Sequence, residues 1–492
     1  MRPVVVLLLL ACAAFAQPRR APNVVLIVAD DLGYAELSCQ GARDLSTPRI
    51  DSLAENGIRF TSGYVSAPVC CPSRAGLMTG RYQTRFGHEG NAIGVQNLDE
   101  HVGLPLEERT MAEALRERGY ATGLVGKWHL GAHPSRRPLR RGFDEFFGFL
   151  NEGRYYAPFP YEGLTTWLRI ATPPPGSVGG RYTRGRFVFS SVMGYDEPTY
   201  DLENPIYRGD TQIVEPAYLT DALAREAVDF IERRKEKPFF LYLAFNAPHS
   251  PLQAADSYMQ KAAAIDDVQR RIFVAMVENL DDAVGRVLDK LSAEDLERDT
   301  LIFFLSDNGG PTRELTSSNA PLREGKGRVY EGGLRVPFIV QWKGRLPAGK
   351  IDARPVIALD AMPTALAAAG ATPPQGLDGV NLLPYLDGSK NELPHRTLFW
   401  RYGTRIALRH GDWKIVGRYD RDGGPRDLEL YHLAADLGET TNLAEREPER
   451  LALLEKLLRE HDAQMVEPLW GGDERSRPTR SNVPLKLLER IQ

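Results

Sequence analysis

A chain of 492 residues is too long for one simple hydrophobic core and calls for a large domain plus a smaller one. With 42% hydrophobic and 26% charged residues it has the composition of a soluble globular protein. A formal net charge of −4 gives no footprint for nucleic acid or an anionic membrane surface, so any anion site must be local.

Residues 1–16 read as a secretory signal. Arg2 is its positive end, 4–10 its apolar run, and Ala14-Phe15-Ala16 a small-x-small cleavage site before Gln17. The run is too short to span a bilayer, and no later segment is long and apolar enough. Export to the periplasm or the exterior follows. A loose lipoprotein-like box, Leu9-Leu10-Ala11-Cys12, makes a lipid-anchored form the alternative. Removal of the signal leaves Cys39, Cys70 and Cys71. That odd count argues against a disulfide framework and fits one cysteine kept for chemistry.

Asn23–Ala29 is an unbroken, β-branched apolar run, the pattern of a strand buried on both faces. It ends in Asp30-Asp31-Leu32-Gly33-Tyr34. Two acids at the carboxyl end of a central strand sit where α/β folds place ligands. Each alone reads as a turn residue; together they suit a hard divalent cation such as Ca²⁺ or Mg²⁺. A helix is predicted over 47–56, opened by Thr47-Pro48 and closed by Gly57.

The stretch 67–80 reads Ala-Pro-Val-Cys-Cys-Pro-Ser-Arg-Ala-Gly-Leu-Met-Thr-Gly. Pro72 suits a first helical turn, which puts Cys70 and Cys71 on the approach to a helix N-terminus that favours an anion. Arg74 follows one turn in, a permanent cation whose fork matches a tetrahedral oxyanion. A lone Cys-Cys-Pro would read as an inert buried pair.

Further on, a helix over 110–118 is stopped by Gly119, and a strand over 120–126 ends in Lys127-Trp128-His129. Strand alternation would face Lys127 and His129 to one side, able to bind an oxyanion. Taken alone they read as a solvated lysine and a satisfied histidine. The aromatic run 143–149 should pack near that site. Residues 150–215 show no clear periodicity; their aromatics and arginines would suit an anionic sugar, or belong to a surface insertion.

A helix over 217–234 and a strand over 238–245 lead to Asn246-Ala247-Pro248-His249-Ser250-Pro251, a histidine on a stiff loop at a strand end. After a long helix over 266–291, the apolar strand 300–305 runs into Ser306-Asp307-Asn308-Gly309-Gly310, repeating the logic of Asp30-Asp31. Lys326 then lies between two glycines, a candidate anion ligand, ahead of Glu331-Gly332-Gly333-Leu334-Arg335-Val336-Pro337 and a strand over 338–342. Alternating strands and helices to residue 370 indicate an α/β fold with a large, mostly parallel sheet covered on both faces. Short strands at 397–400, 406–409, 413–416 and 428–433, then a helix over 448–463, indicate a smaller C-terminal α+β subdomain on an antiparallel sheet. The domains are expected at 17–390 (catalytic) and 391–492.

These residues together resemble the sulfatase family. The stretch 67–80 matches its signature Cys-x-Pro-Ser-Arg followed by Leu-x-Thr-Gly. Gly-Gly-Leu-Arg-Val-Pro and the C-terminal Glu429-Leu430-Tyr431-His432-Leu433 with Glu439-Thr440-Thr441-Asn442-Leu443 extend the likeness over nearly the whole mature chain. The resemblance implies a sulfuric ester hydrolase acting on a sulfated carbohydrate or an aryl sulfate surrogate. It implies that a maturation enzyme oxidises Cys70, not Cys71, to formylglycine, and that Asp30, Asp31, Cys70, Asp307 and Asn308 hold Ca²⁺ or Mg²⁺. In the implied mechanism the hydrated aldehyde attacks sulfur, close to Asp307. His249 protonates the leaving alcohol, Lys326 binds sulfate oxygens, His129 takes a proton as sulfate is eliminated, and Lys127 and Arg74 hold the diol oxygens. Two rivals are a phosphatase or phosphodiesterase of the same superfamily and a silent sulfated-glycan-binding protein with Cys70 unmodified.

Overall fold

The computed structural model describes residues 20–470 apart from 193, 195, 199, 201–203 and 421–422. The predicted signal and the lipoprotein-like box lie outside the described residues. Among the described residues no helix is long and apolar enough to cross a membrane.

The main sheet pairs ten strands: β1 (Asn23–Ala29), β2 (Ile58–Phe60), β3 (Ala121–Lys127), β4 (Glu145–Phe149), β5 (Ile206–Arg208), β6 (Thr211–Ile213), β7 (Phe239–Ala244), β8 (Thr300–Ser306), β9 (Phe338–Gln341) and β10 (Lys350–Asp352). Their order across the sheet is β6-β5-β4-β3-β7-β1-β8-β9-β2-β10. The central five, β4-β3-β7-β1-β8, are all parallel, so their carboxyl ends open along one edge.

Every residue of β1 is buried because helices cover both faces. Val25, Ile27 and Ala29 meet α1 (Pro48–Glu55), α4 (Leu219–Arg234) and α5 (Val268–Ala293). Val24, Leu26 and Val28 point the other way, to α2 (Cys70–Thr79), α3 (Met111–Arg116) and α6 (Ala361–Ala368). The period-2 alternation of a strand thus feeds two cores at once. Local chemistry fixes where helices begin: the Thr110 side chain accepts from Glu113 N while Glu113 reaches back to Thr110 N, a capping box that starts α3.

A second, four-stranded antiparallel sheet follows (Thr397–Tyr402, Arg405–His410, Trp413–Tyr419, Pro425–His432), with the helix Pro448–Asp462 against it. Leu454 and Leu458 of that helix enter the core beneath the sheet, which also takes in Tyr64, Ile357 and Leu359.

The structure extends two expectations. The run 143–149 is more than neighbouring packing, since Glu145–Phe149 is a full strand of the main sheet. The described residues of 150–215 include regular strands. Leu164–Arg169, Phe187–Ser190 and Arg181–Arg184 form a sheet with the distant Leu252–Ala255, and β5-β6 is a hairpin on the edge of the main sheet. Many of its aromatics and arginines are engaged within the protein. Tyr155, Tyr161, Leu164 and Phe189 make a small core of their own, and Tyr156 and Trp167 lie in the main core. Arg169 pairs with Glu197, Arg181 with Asp267 and Arg186 with Asp256.

Candidate active site

Four parallel strand ends converge with one helix and one loop. Asp30 and Asp31 follow β1, Lys127 ends β3 and His129 follows it, His249 lies beyond β7, and Asp307 and Asn308 follow β8. Cys70 and Arg74 come from α2, and Lys326 from the loop 325–327. All ten sequence-predicted residues are therefore brought to one place.

Two local details differ from expectation. Cys70 and Cys71 are the first two residues of α2, not its approach, and Val69 caps it. His129 does not share a strand face with Lys127, because β3 ends at Lys127 and His129 has φ 55°. Its N–H is instead held by Leu150 O at 3.0 Å, so the turn out of the strand, rather than alternation, aims the ring.

The charges interlock. Lys127 Nζ lies 2.6 Å from Asp30 Oδ2. Arg74 grips Asp307 Oδ2 through Nε at 2.9 Å and Nη2 at 2.8 Å, and donates to Lys127 O and Tyr242 Oη. Lys326 Nζ meets Asp31 at 2.7 Å, and Asn308 Nδ2 donates to Asp31 Oδ1 at 2.7 Å. Asp30, Asp307, Lys127 and Arg74 are all inaccessible to solvent at their side chains, which only mutual pairing makes tolerable.

Burial would raise the Asp31 carboxyl, but the Lys326 charge and the hydrogen bonds from Lys326 and Asn308 outweigh it and hold it at about 2. Asp307 goes the other way, pushed up to about 6 by burial and the neighbouring Asp30 against the pull of Arg74. Burial, reinforced by Lys127 at His129 and by Lys326 at His249, lowers both histidines well below the usual range. Both rings are therefore neutral here, and a carbonyl fixes each tautomer. His129 donates Nε2–H to Ala92 O at 2.8 Å, leaving Nδ1 a buried lone pair without a partner. His249 donates Nδ1–H to Ser250 O at 2.6 Å, and its Nε2 lies 3.6 Å from Asp31.

The site has the donors for a metal ion. Asp30, Asp31, Cys70 and His249, all buried, each offer an atom within 4.8 Å of the others, and the Cys70 sulfur is 3.5 Å from Asp30 Oδ1. Asn308 Oδ1 is buried with no hydrogen-bond partner, an orphan acceptor that a cation would satisfy. Asp307 is outside that group of four; its Oδ2 is engaged by Arg74 and its Oδ1 by the Asp31 N–H at 3.2 Å. As a thiol, Cys70 adds sulfur to an otherwise oxygen-rich set, and burial keeps that thiol protonated by pushing its pKa up.

Several supporting residues have no signal in the sequence because their partners lie far along the chain. Asn91 Oδ1 accepts from Cys71 N, and His88 Nε2 lies 2.9 Å from the Cys71 sulfur. Tyr156 Oη ties Asn246 O to His249 O.

This fold, with acids and cations at its strand ends and a buried cysteine at the start of the helix beside them, is that of a hydrolase for anionic esters. The sulfatase family profile matches residues 22–371, and a profile described as N-sulphoglucosamine sulphohydrolase, C-terminal, matches 325–465. The dog N-acetylgalactosamine-6-sulfatase is 34% identical over 419 residues, covering 82% of this chain and 73% of its own. Human arylsulfatase D is 33% identical over 450 residues, covering 81% and 74%. A solved structure described as Ps i-CgsB in complex with k-i-k-neocarrahexaose superposes with a TM-score of 0.79 at 35% identity, covering 93% of this chain and 96% of that one. The chain belongs to the sulfatase family and is a sulfuric ester hydrolase.

Proposed function

We propose that the protein removes sulfate from a sulfated carbohydrate, using Cys70 oxidised to formylglycine and one divalent cation. The observation that carries this reading is the place of Cys70: first residue of α2, 3.5 Å from Asp30, beside the buried cations Lys127 and Arg74 and the half-buried Lys326. Asp30, Asp31, Asp307, Asn308 and the modified Cys70 would hold the cation. Oxygen in place of sulfur makes that set suit Ca²⁺ or Mg²⁺. Together the two groups would supply a hydroxyl nucleophile and neutralise charge as it develops.

The chain's own residues do the rest. Lys326 binds sulfate oxygens, and Lys127 and Arg74 stabilise negative charge around position 70. His129, with its Nδ1 lone pair buried and unengaged, accepts a proton there. His249 delivers a proton to the departing alcohol from Nε2. It must first take that proton up, which Asp31 favours and burial opposes. Carbohydrate as substrate is supported by relatives named for a sulfated sugar or solved with an oligosaccharide bound. We also read the chain as exported, matured by a formylglycine-generating enzyme, and divided near residue 390 into catalytic and C-terminal domains.

The test is sulfate release from a panel of sulfated sugars and aryl sulfates, with phosphate mono- and diesters run alongside, using protein co-produced with a maturation enzyme. Sulfate release from a sugar is expected. Hydrolysis of phosphate esters alone, or binding without turnover, would overturn the reading.

A further inference from the structure

The uncharged segment 316–319 (Thr-Ser-Ser-Asn) laces together the three loops that present Asp31, Asn308 and Lys326. Ser317 Oγ accepts from Gly33 N at 2.9 Å and donates to Asp31 O at 3.1 Å, and Ser318 O accepts from Ala35 N. Asn319 does more. Its Oδ1 accepts from Gly310 N at 2.9 Å and Tyr34 N at 3.3 Å. Its Nδ2 donates to Gly310 O at 2.7 Å and Glu324 O at 3.1 Å, and lies 3.2 Å from Thr312 Oγ1. The residue is 3% exposed, so each of these bonds forms away from competing water.

The two ends of this amide share Gly310 and otherwise hold different things. The carbonyl end fixes the loops after β1 and β8, which carry Asp31 and Asn308. The amino end fixes the backbone that leads into Lys326. Glu324 O is two residues before the lysine, and Gly310 O also accepts from Lys326 N at 3.4 Å. Gly325 allows this approach: a Cβ there would lie 2.2 Å from Gly310 O and 2.8 Å from Asn319 Nδ2. Lys326, so placed, reaches Asp31 at 2.7 Å.

We propose that Asn319 is a positioning residue whose amino end sets the Lys326 ammonium against Asp31, where sulfate is to be bound. The inference rests on the proposed role of Lys326. Asn319→Asp keeps the acceptor oxygen that holds Gly310 N and Tyr34 N, but turns the donor into a buried acceptor that repels Gly310 O and Glu324 O, so the Lys326 loop is pushed away.

The test is a double-mutant cycle on an activated aryl sulfate, chosen so that the Lys326→Ala background stays measurable. Asn319→Asp should lower kcat/KM about tenfold in the wild-type background and less than about twofold in Lys326→Ala. The Ki for inorganic sulfate should rise only where Lys326 is present. Asn319→Ser, read in the same cycle, serves if the aspartate variant does not fold. An equal loss in both backgrounds, or no loss in the wild-type background, would overturn the inference. Absence of any sulfate-ester turnover by the wild type would instead overturn the proposed function.

Discussion

Two buried clusters of charge are joined by the short helix Glu331–Leu334, and they are built differently. At the junction with the C-terminal sheet, Glu331 meets Tyr64 Oη at 2.7 Å, Lys414 Nζ at 2.9 Å and Arg335 at 3.2 Å, and Lys414 also reaches Glu439 at 2.9 Å. Every charge there is answered by an ion pair within the protein, including Glu439 Oε1, which has no aligned hydrogen bond but faces the Lys414 ammonium. In the active site three acids face three cations in similar burial, yet Asn308 Oδ1 and His129 Nδ1 have no partner. Burial and charge are alike in the two clusters. What separates a structural network from a reactive one is the polar atoms left over for a ligand.

Single substitutions should separate the clusters by what they damage. Lys414→Met leaves Glu331 and Glu439 buried with less compensation. It should cost about 3–5 kcal/mol of stability in denaturant unfolding, while kcat/KM per folded molecule stays near wild type. Lys326→Ala should do the reverse, lowering kcat/KM about 10²- to 10³-fold with a much smaller change in unfolding midpoint. If both variants lost activity and stability in proportion, the distinction would fail.

The junction should also show in the pH dependence of stability. Burial, with Lys414 opposing and Glu331 reinforcing, raises Glu439 to about 7 from 4.5. A carboxyl raised on folding contributes stability that is complete below its unfolded value and is lost as pH rises through its folded one. Wild-type stability should therefore carry a component that declines between about pH 4.5 and 7. Glu439→Gln should remove it, a change of about 2–3 kcal/mol between those limits. Parallel stability–pH curves for the two proteins would contradict this.

Within the site, His249→Ala should hurt a sugar sulfate more than an aryl sulfate with a very acidic phenol, since only the sugar alcohol needs a proton to leave. A ratio of kcat/KM losses of about tenfold is expected. Equal losses, in folded and matured protein, would remove His249 from that role.

The parallel sheet and its strand ends were legible because a strand buried on both faces is unbroken in sequence and the polar residues that end it stand out, as at Ala29 to Asp30-Asp31 and Ser306 to Asp307-Asn308. The segment 150–215 was not, because its strands are three to six residues long and one pairs with Leu252–Ala255, too far along the chain for any local pattern to reveal. His129 was found for the wrong geometric reason: a lysine and a histidine two apart look like strand alternation, whereas a left-handed turn and Leu150 O orient the ring. Asn319 sits in Ser-Ser-Asn, which reads as an ordinary turn; only the fold brings Gly310, Glu324 and Tyr34 around it.

The measurement that bears most directly on the central claim is peptide mass spectrometry across residues 60–81 of catalytically active protein made beside a maturation enzyme. Formylglycine at Cys70, with Cys71 intact, is the predicted result. Full sulfatase activity with an unmodified Cys70, or modification at Cys71 alone, would contradict it.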